Sequence, residues 1–94
     1  MRTKPYVGDV GTVITVNTKT NLTTATLLQL HVLKPDGTQV IWNGTLYNTK
    51  YIRYTTGGDD LDISGDYRLQ AYVELPLWRG HGDATTFRVY DLYE

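Results

Sequence analysis

The segment Leu61-Asp62-Ile63-Ser64-Gly65-Asp66-Tyr67 decides the fold of this 94-residue chain. In two-sheet β proteins, a Tyr at the start of a strand can turn its hydroxyl back onto backbone a few residues upstream and so fix the corner between the sheets. Here Leu61 lies six residues and Gly65 two residues before Tyr67, a spacing typical of such a tyrosine corner. The segment therefore predicts that Tyr67 opens a strand and that its hydroxyl bonds backbone within residues 58–61.

On both sides of this corner, apolar and polar residues alternate with the period of two that a half-buried strand requires. Turn sequences rich in Gly, Pro and Asn separate the alternating runs, and one of them, Gly80-His81-Gly82, is interpreted as a loop. About seven strands are expected. The runs cover residues 12–16, 26–34, 38–42, 51–55, 67–75 and 84–90.

Composition points to the same fold class. The chain has fifteen Thr and eight Tyr but only three Ala and two Glu, so residues that favour strands far outnumber two of the best helix formers. Short strands of this number in 94 residues match an all-β, immunoglobulin-like antiparallel β-sandwich, and we expect residues 1–94 to form one such domain. The predicted core consists of inward-facing residues: Ile14, Leu28, Leu30, Val32, Tyr67, Leu69, Ala71, Val73, Phe87 and Val89.

Four motifs follow one another along nearly the whole chain: Tyr6-Val7-Gly8-Asp9-Val10-Gly11-Thr12, Lys34-Pro35-Asp36-Gly37-Thr38, Tyr54-Thr55-Thr56, and the corner segment continued from Asp60 to Tyr72. With these motifs in this order, the chain resembles the small immunoglobulin-like proteins of bacteriophage and prophage structural gene clusters, which are similar to the N-terminal domains of phage baseplate upper proteins. The resemblance implies a structural protein-interaction module of a virion or tail, without catalytic activity. Its implied partners are other phage structural proteins or further copies of itself, and its implied location is the virion, or the bacterial cytoplasm during assembly.

Residue usage argues against most enzyme chemistry. The chain has no Cys, which excludes disulfides, thiol catalysis and thiolate metal sites. Leu69 lies at the position of the second cysteine of antibody domains, so the two sheets must be joined there by apolar packing and not by a disulfide. The only serine, Ser64, lies in the predicted corner turn, and no motif links it to either histidine. A net charge of −1 gives no bulk attraction to nucleic acid or to a membrane surface. No signal-peptide pattern is visible.

Two groups of residues imitate metal sites. The segment from Asp60 to Asp66 resembles the start of a Ca²⁺ loop, but the twelfth position, where such a loop needs Glu, is Ala71. His81 and Asp83 form a His-x-Asp pair, and His31 is far away in sequence; the two histidines could meet in space, but metal sites normally need three or four ligands. We therefore predict no catalytic residue, no cofactor and no metal site.

A candidate interaction face follows from the outward positions of three runs. In an immunoglobulin-like sandwich the third, sixth and seventh strands share one sheet, so their outward side chains lie on one surface. Arg and Tyr are common among residues that dominate protein interfaces. The predicted face comprises Gln29, His31, Arg68, Gln70, Tyr72, Arg88 and Tyr90.

The alternative function is carbohydrate binding. Trp42, Trp78 and some of the tyrosines could form a flat stacking platform for a cell-surface sugar. The competing interpretation places Trp42 in the core and Trp78 over the end of the sandwich, near the bend at Leu75-Pro76-Leu77. Exposed coplanar rings would favour sugar binding, whereas an exposed strand face rich in Tyr and Arg would favour protein binding.

Overall fold

A computed structural model describes residues 4–94, and within this range every regular element is a β-strand. The same residues contain no helix with the length and apolar character needed to cross a bilayer. Seven strands follow in chain order: β1 (Val13–Asn17), β2 (Leu27–Leu33), β3 (Gln39–Asn43), β4 (Thr45–Tyr47), β5 (Tyr51–Thr55), β6 (Gly65–Leu75) and β7 (Trp78–Val89).

The strands form two antiparallel sheets that pack face to face. One sheet has the order β1-β5-β4 and the other the order β3-β2-β6-β7. The predicted immunoglobulin-like β-sandwich is confirmed, because the seven strands form two packed antiparallel sheets and β2, β6 and β7 belong to the same one. Before β1, Tyr6 makes a parallel bridge to Tyr90 just after β7, which ties the start of the described chain to the edge of the larger sheet.

Two turns set the path of the chain between the sheets. The hairpin between β2 and β3 forms at Pro35-Asp36-Gly37, where Gly37 adopts a φ of 91° and the Lys34 amide donates to the Thr38 carbonyl at 2.8 Å. Gly44 separates β3 from β4 and carries the chain from one sheet to the other. A Cβ at Gly44 would collide with the Ile52 side chain and lie 3.2 Å from the Arg53 carbonyl oxygen, so this crossing needs glycine.

The core lies between the two sheets. All ten residues predicted from the alternation are either buried or packed against the buried cluster, with Ile14, Leu28 and Phe87 in the second group. Val16, Leu22, Trp42, Ile52 and Leu61 complete the buried cluster. Trp42 is only 3% exposed and stacks on Tyr54 with ring centroids 4.8 Å apart.

Tyr67 forms the corner between the sheets. Its side chain is fully buried, and its hydroxyl donates to the Ile63 carbonyl at 2.7 Å. The predicted acceptor range, residues 58–61, is therefore wrong. The turn before β6 is tighter than expected and places a carbonyl four residues upstream within reach. Gly65 permits this turn: its φ is 126°, and a Cβ there would lie 2.8 Å from the Pro35 ring.

The seventh strand begins earlier than the sequence predicts. Gly80-His81-Gly82, interpreted as a loop, lies inside β7, where Val73 pairs with Gly80 and Tyr72 with His81. The register then shifts, so that Gly82 and Asp83 lie opposite the single residue Ala71. This β-bulge accommodates the extra residue, so the strand continues through the two glycines. The alternation does not predict the short strand β4, because three residues are too few to show a period.

Candidate functional site: the outer face of the four-stranded sheet

The solvent-facing side of the sheet β3-β2-β6-β7, called the outer face below, brings together side chains from all four strands. Pairing places Gln29 opposite Tyr72, His31 opposite Gln70, and Arg88 opposite Asp66, while Arg68 lies opposite both Leu33 and Thr86. Six of the seven residues of the predicted face therefore share this surface. Tyr90 lies just beyond the end of β7, where Arg88 approaches its ring at 5.7 Å.

The centre of the outer face is a cluster of three rings, His31, Tyr72 and His81, called the imidazole cluster below. His31 stacks on Tyr72 with ring centroids 5.1 Å apart and an interplanar angle of 18°. His81 meets His31 edge-on, and its Nε2 lies 2.9 Å from Nδ1 of His31. The alternation correctly indicated that His31 and Tyr72 share a surface. Because Gly80-His81-Gly82 was interpreted as a loop, the sequence did not indicate that His81 lies on the same surface.

Polar neighbours fix the orientation of these rings. Nε2 of His31 lies 3.2 Å from Oε1 of Gln29, whose amide nitrogen donates to Asn43 at 3.1 Å. The Tyr72 hydroxyl donates to Glu74 at 3.0 Å. A chain of contacts thus runs from β3 through β2 to β7, and each ring is held by a partner on another strand or two residues away on its own strand.

The cluster favours the neutral form of His31. Partial burial, and then the neighbouring His81, lower the pKa of His31 below its usual value. The geometry gives the same preference, because one proton between two facing nitrogens makes a hydrogen bond whereas two protons there oppose each other. The hydrogen bond to Glu74 raises the pKa of Tyr72, so the ring that stacks on His31 stays uncharged in the neutral pH range.

The imidazole cluster makes stability depend on pH. Since the pKa of folded His31 lies below that of the unfolded chain, its contribution is fully present above about pH 6.5 and is lost as pH falls through the folded pKa. Urea unfolding at intervals from pH 7.5 to 5 measures this loss. The change should shrink in His81→Gln; an equal change in that variant would contradict the coupling.

A shallow depression lies beside the imidazole cluster on the outer face. It runs from His31 to Arg68 across Leu33, Ile41 and Ala84. Ile41 points away from the core, so this apolar side chain is 55% exposed. Ile41 and Leu33 were absent from the predicted face, and the signal that could have identified them is the period-two alternation itself, which places both on the solvent side.

The charged residues of the outer face differ in their pairing. Arg88 contacts Asp66 at 3.3 Å, and both side chains are more than half exposed, so this pair contributes little to stability. Arg68 makes no ion pair within the described residues. Its guanidinium is thus a free cation next to exposed apolar surface.

No protein-family model and no curated protein matches this chain.

The aspartates near the corner are occupied by other contacts. Asp60 accepts hydrogen bonds from the Tyr54 hydroxyl at 2.5 Å and from the Gly57 amide at 2.6 Å. Burial and this bond raise the pKa of Tyr54 to about 12. Asp62 pairs at 2.8 Å with the buried Lys34; burial alone would lower the lysine pKa, but the bond and charge of Asp62 outweigh it and raise the pKa. These carboxylates brace the corner instead of converging on one point.

Within the described part of the chain, no three His, Asp or Glu side chains converge in a way that could hold a metal ion. The predicted aromatic platform is also incomplete, because Trp42 is buried. Trp78 is 53% exposed at the start of β7, and its ring folds over Gly80, where an added Cβ would lie 2.9 Å from it. The two tryptophans therefore do not share a surface.

Proposed function

We propose that this protein is a non-catalytic protein-interaction module of a bacteriophage or prophage virion or tail, and that it contacts its partner through the outer face. The partner is another structural protein of the particle or a further copy of this chain. The phage assignment rests on the sequence resemblance, and the choice of surface rests on the structure.

One observation supports the outer face above other surfaces. Four neighbouring strands present a free guanidinium, an exposed isoleucine and an ordered group of rings on one continuous surface. Interfaces combine such apolar and aromatic centres with Arg, because these side chains offer large contact areas together with directional hydrogen bonds. The outward side of the second sheet also carries an Arg and tyrosines, but there the Arg53 guanidinium already lies over the Tyr47 ring at 3.6 Å, so it is less available to a partner than Arg68.

Sugar binding receives no comparable support. A stacking platform needs two or more exposed rings near one another, and Trp42 is buried against Tyr54. The exposed ring of Trp78 lies at the β6–β7 turn beside Leu77, which is fully exposed. Trp78 and Leu77 together offer apolar contact area, but they do not form the flat surface of two rings on which a sugar would stack.

A double variant tests the proposed surface. Replacing Arg68 and Ile41 together with Ala should leave the fold intact, because both side chains are exposed, and should weaken association at least tenfold, about 1.4 kcal/mol. Self-association is measured by sedimentation equilibrium. Binding to other partners is measured by pull-down and calorimetry with the structural proteins encoded beside this one.

The matched control replaces Val13 and Lys50 with Ala, since Val13 is as exposed as Ile41 and both residues lie in or beside the other sheet. The control should bind like the native chain. Native affinity in the Arg68/Ile41 variant, or equal weakening in both variants, would reject the outer face. Absence of both self-association and partner binding would reject the interaction function.

A further inference from the structure

The two histidines of the imidazole cluster face each other through ring nitrogens. His31 Nδ1 and His81 Nε2 are 2.9 Å apart, on strands separated by β6. In this arrangement one proton lies between two nitrogen lone pairs. Two nitrogens bound at adjacent positions of one transition ion also lie about 3 Å apart, because metal–nitrogen bonds are about 2 Å long. An ion can take the place of the proton once the His81 ring turns so that its Nε2 lone pair meets that of His31 Nδ1 at one position, and His81 is exposed enough to turn.

The surroundings of His31 are those of a metal-binding imidazole. A ligating histidine usually donates its other ring N–H to an oxygen, which fixes the tautomer and aims the free lone pair at the metal. Nε2 of His31 has this partner in Oε1 of Gln29, at 3.2 Å, and Asn43 in turn holds the Gln29 amide. Tyr72 stacks on the ring and fixes its plane. His31 is thus held with Nδ1 directed at His81.

We propose that His31 and His81 bind a divalent first-row transition ion, with water completing the coordination. At His31 and His81 the proposed site differs from the sequence-based expectation that the chain has no metal site. That expectation assumed that two histidines are too few. It did not include the hydrogen bonds that orient His31 in advance or the strand pairing that brings His81 to it.

The chemistry of the pair selects the class of ion. Neutral imidazole nitrogens prefer Zn²⁺, Ni²⁺ and Cu²⁺, and affinity rises toward Cu²⁺, which accepts adjacent nitrogens in a tetragonal site. Ca²⁺ and Mg²⁺ require oxygen ligands and should not bind there. With two protein ligands the site is weaker than a structural zinc site, and the fold does not depend on it. The open positions remain available to a ligand from a partner docked on the outer face.

Zinc titration of untagged protein at pH 7.5 tests the proposal. Calorimetry should show one saturable site with a Kd below about 1 mM, and the imidazole carbon resonances of both histidines should shift in NMR spectra at the same stoichiometry. His31→Gln and His81→Gln should each weaken binding at least tenfold. Gln29→Ala should weaken it about tenfold without removing a ligand.

Two controls make the outcome decisive. Asp91→Asn removes an exposed carboxylate elsewhere and should bind zinc like the native chain. Mg²⁺ should give no saturable heat. Because His81 is exposed, His81→Gln should fold normally, which circular dichroism checks directly. Absence of a saturable zinc site, or native affinity in His81→Gln, would overturn the proposal. Neither result depends on the interaction function, since both ligands belong to one chain and the double variant Arg68/Ile41, which tests that function, changes neither of them.

Discussion

Replacing Leu30 with Ala should lower the free energy of unfolding by about 2–5 kcal/mol. Leu30 lies in β2, a central strand of the larger sheet, and its side chain has no exposed surface. Pairing places it between Trp42 on one side and Ala71 on the other, so neither neighbour can easily fill the space left by truncation. The lost burial and the remaining cavity therefore both contribute to the cost.

Thermal and urea unfolding measure this effect. For a domain of this size each kcal/mol shifts Tm by about 4–8 °C, so Leu30→Ala should melt at least about 8 °C lower. Ile41→Ala is the matched control, since it removes an aliphatic side chain from the neighbouring strand on the solvent side, where 55% of it is exposed. The control should change the free energy of unfolding by less than about 0.5 kcal/mol. Similar losses in the two variants would mean that the assignment of inner and outer sides is wrong.

The difference in burial between inward-facing Leu30 and outward-facing Ile41 explains why the sandwich could be predicted from the sequence. A shift of one residue in any strand would exchange its inner and outer side chains, so the register is fixed wherever one side is apolar. In β6 the alternation from Tyr67 to Val73 has no exceptions, and all four of its inward residues are buried. The same rule placed Arg68, Gln70 and Tyr72 together on the outer face.

Features that depend on contacts between distant parts of the chain could not be predicted. Glycines usually end a strand, so Gly80-His81-Gly82 indicated a loop. In the structure, pairing with β6 and the contact of His81 with His31 keep these residues in β7. Leu22 is buried although it lies outside every strand, and no period marks such a residue. The sequence left open that His31 and His81 could meet in space, but no pattern indicates that they do, since 50 residues separate them.

Tyr67 gives the second large effect on stability. Its hydroxyl donates to the Ile63 carbonyl at 2.7 Å and lies 3.4 Å from the Ile63 amide nitrogen, so it occupies both backbone groups of one residue. Burial raises the pKa of Tyr67, and the hydroxyl therefore remains a donor throughout the neutral range. The ring stacks on Phe87 with centroids 5.3 Å apart, and this packing does not involve the hydroxyl.

Tyr67→Phe should therefore lower the free energy of unfolding by about 1–3 kcal/mol, because the Ile63 backbone loses its partner while the ring stays in place. Urea unfolding measures the loss, and an unchanged slope with denaturant would show that the extent of the unfolding transition is preserved. Tyr47→Phe is the control, since the Tyr47 side chain is 42% exposed and its hydroxyl makes no hydrogen bond within the described residues. A Tyr67→Phe midpoint equal to that of the control would show that the corner is held by ring packing alone. A lower midpoint in Tyr67→Phe only would show that the hydroxyl fixes the turn between the two sheets, and with it the start of the strand that carries Arg68, Gln70 and Tyr72.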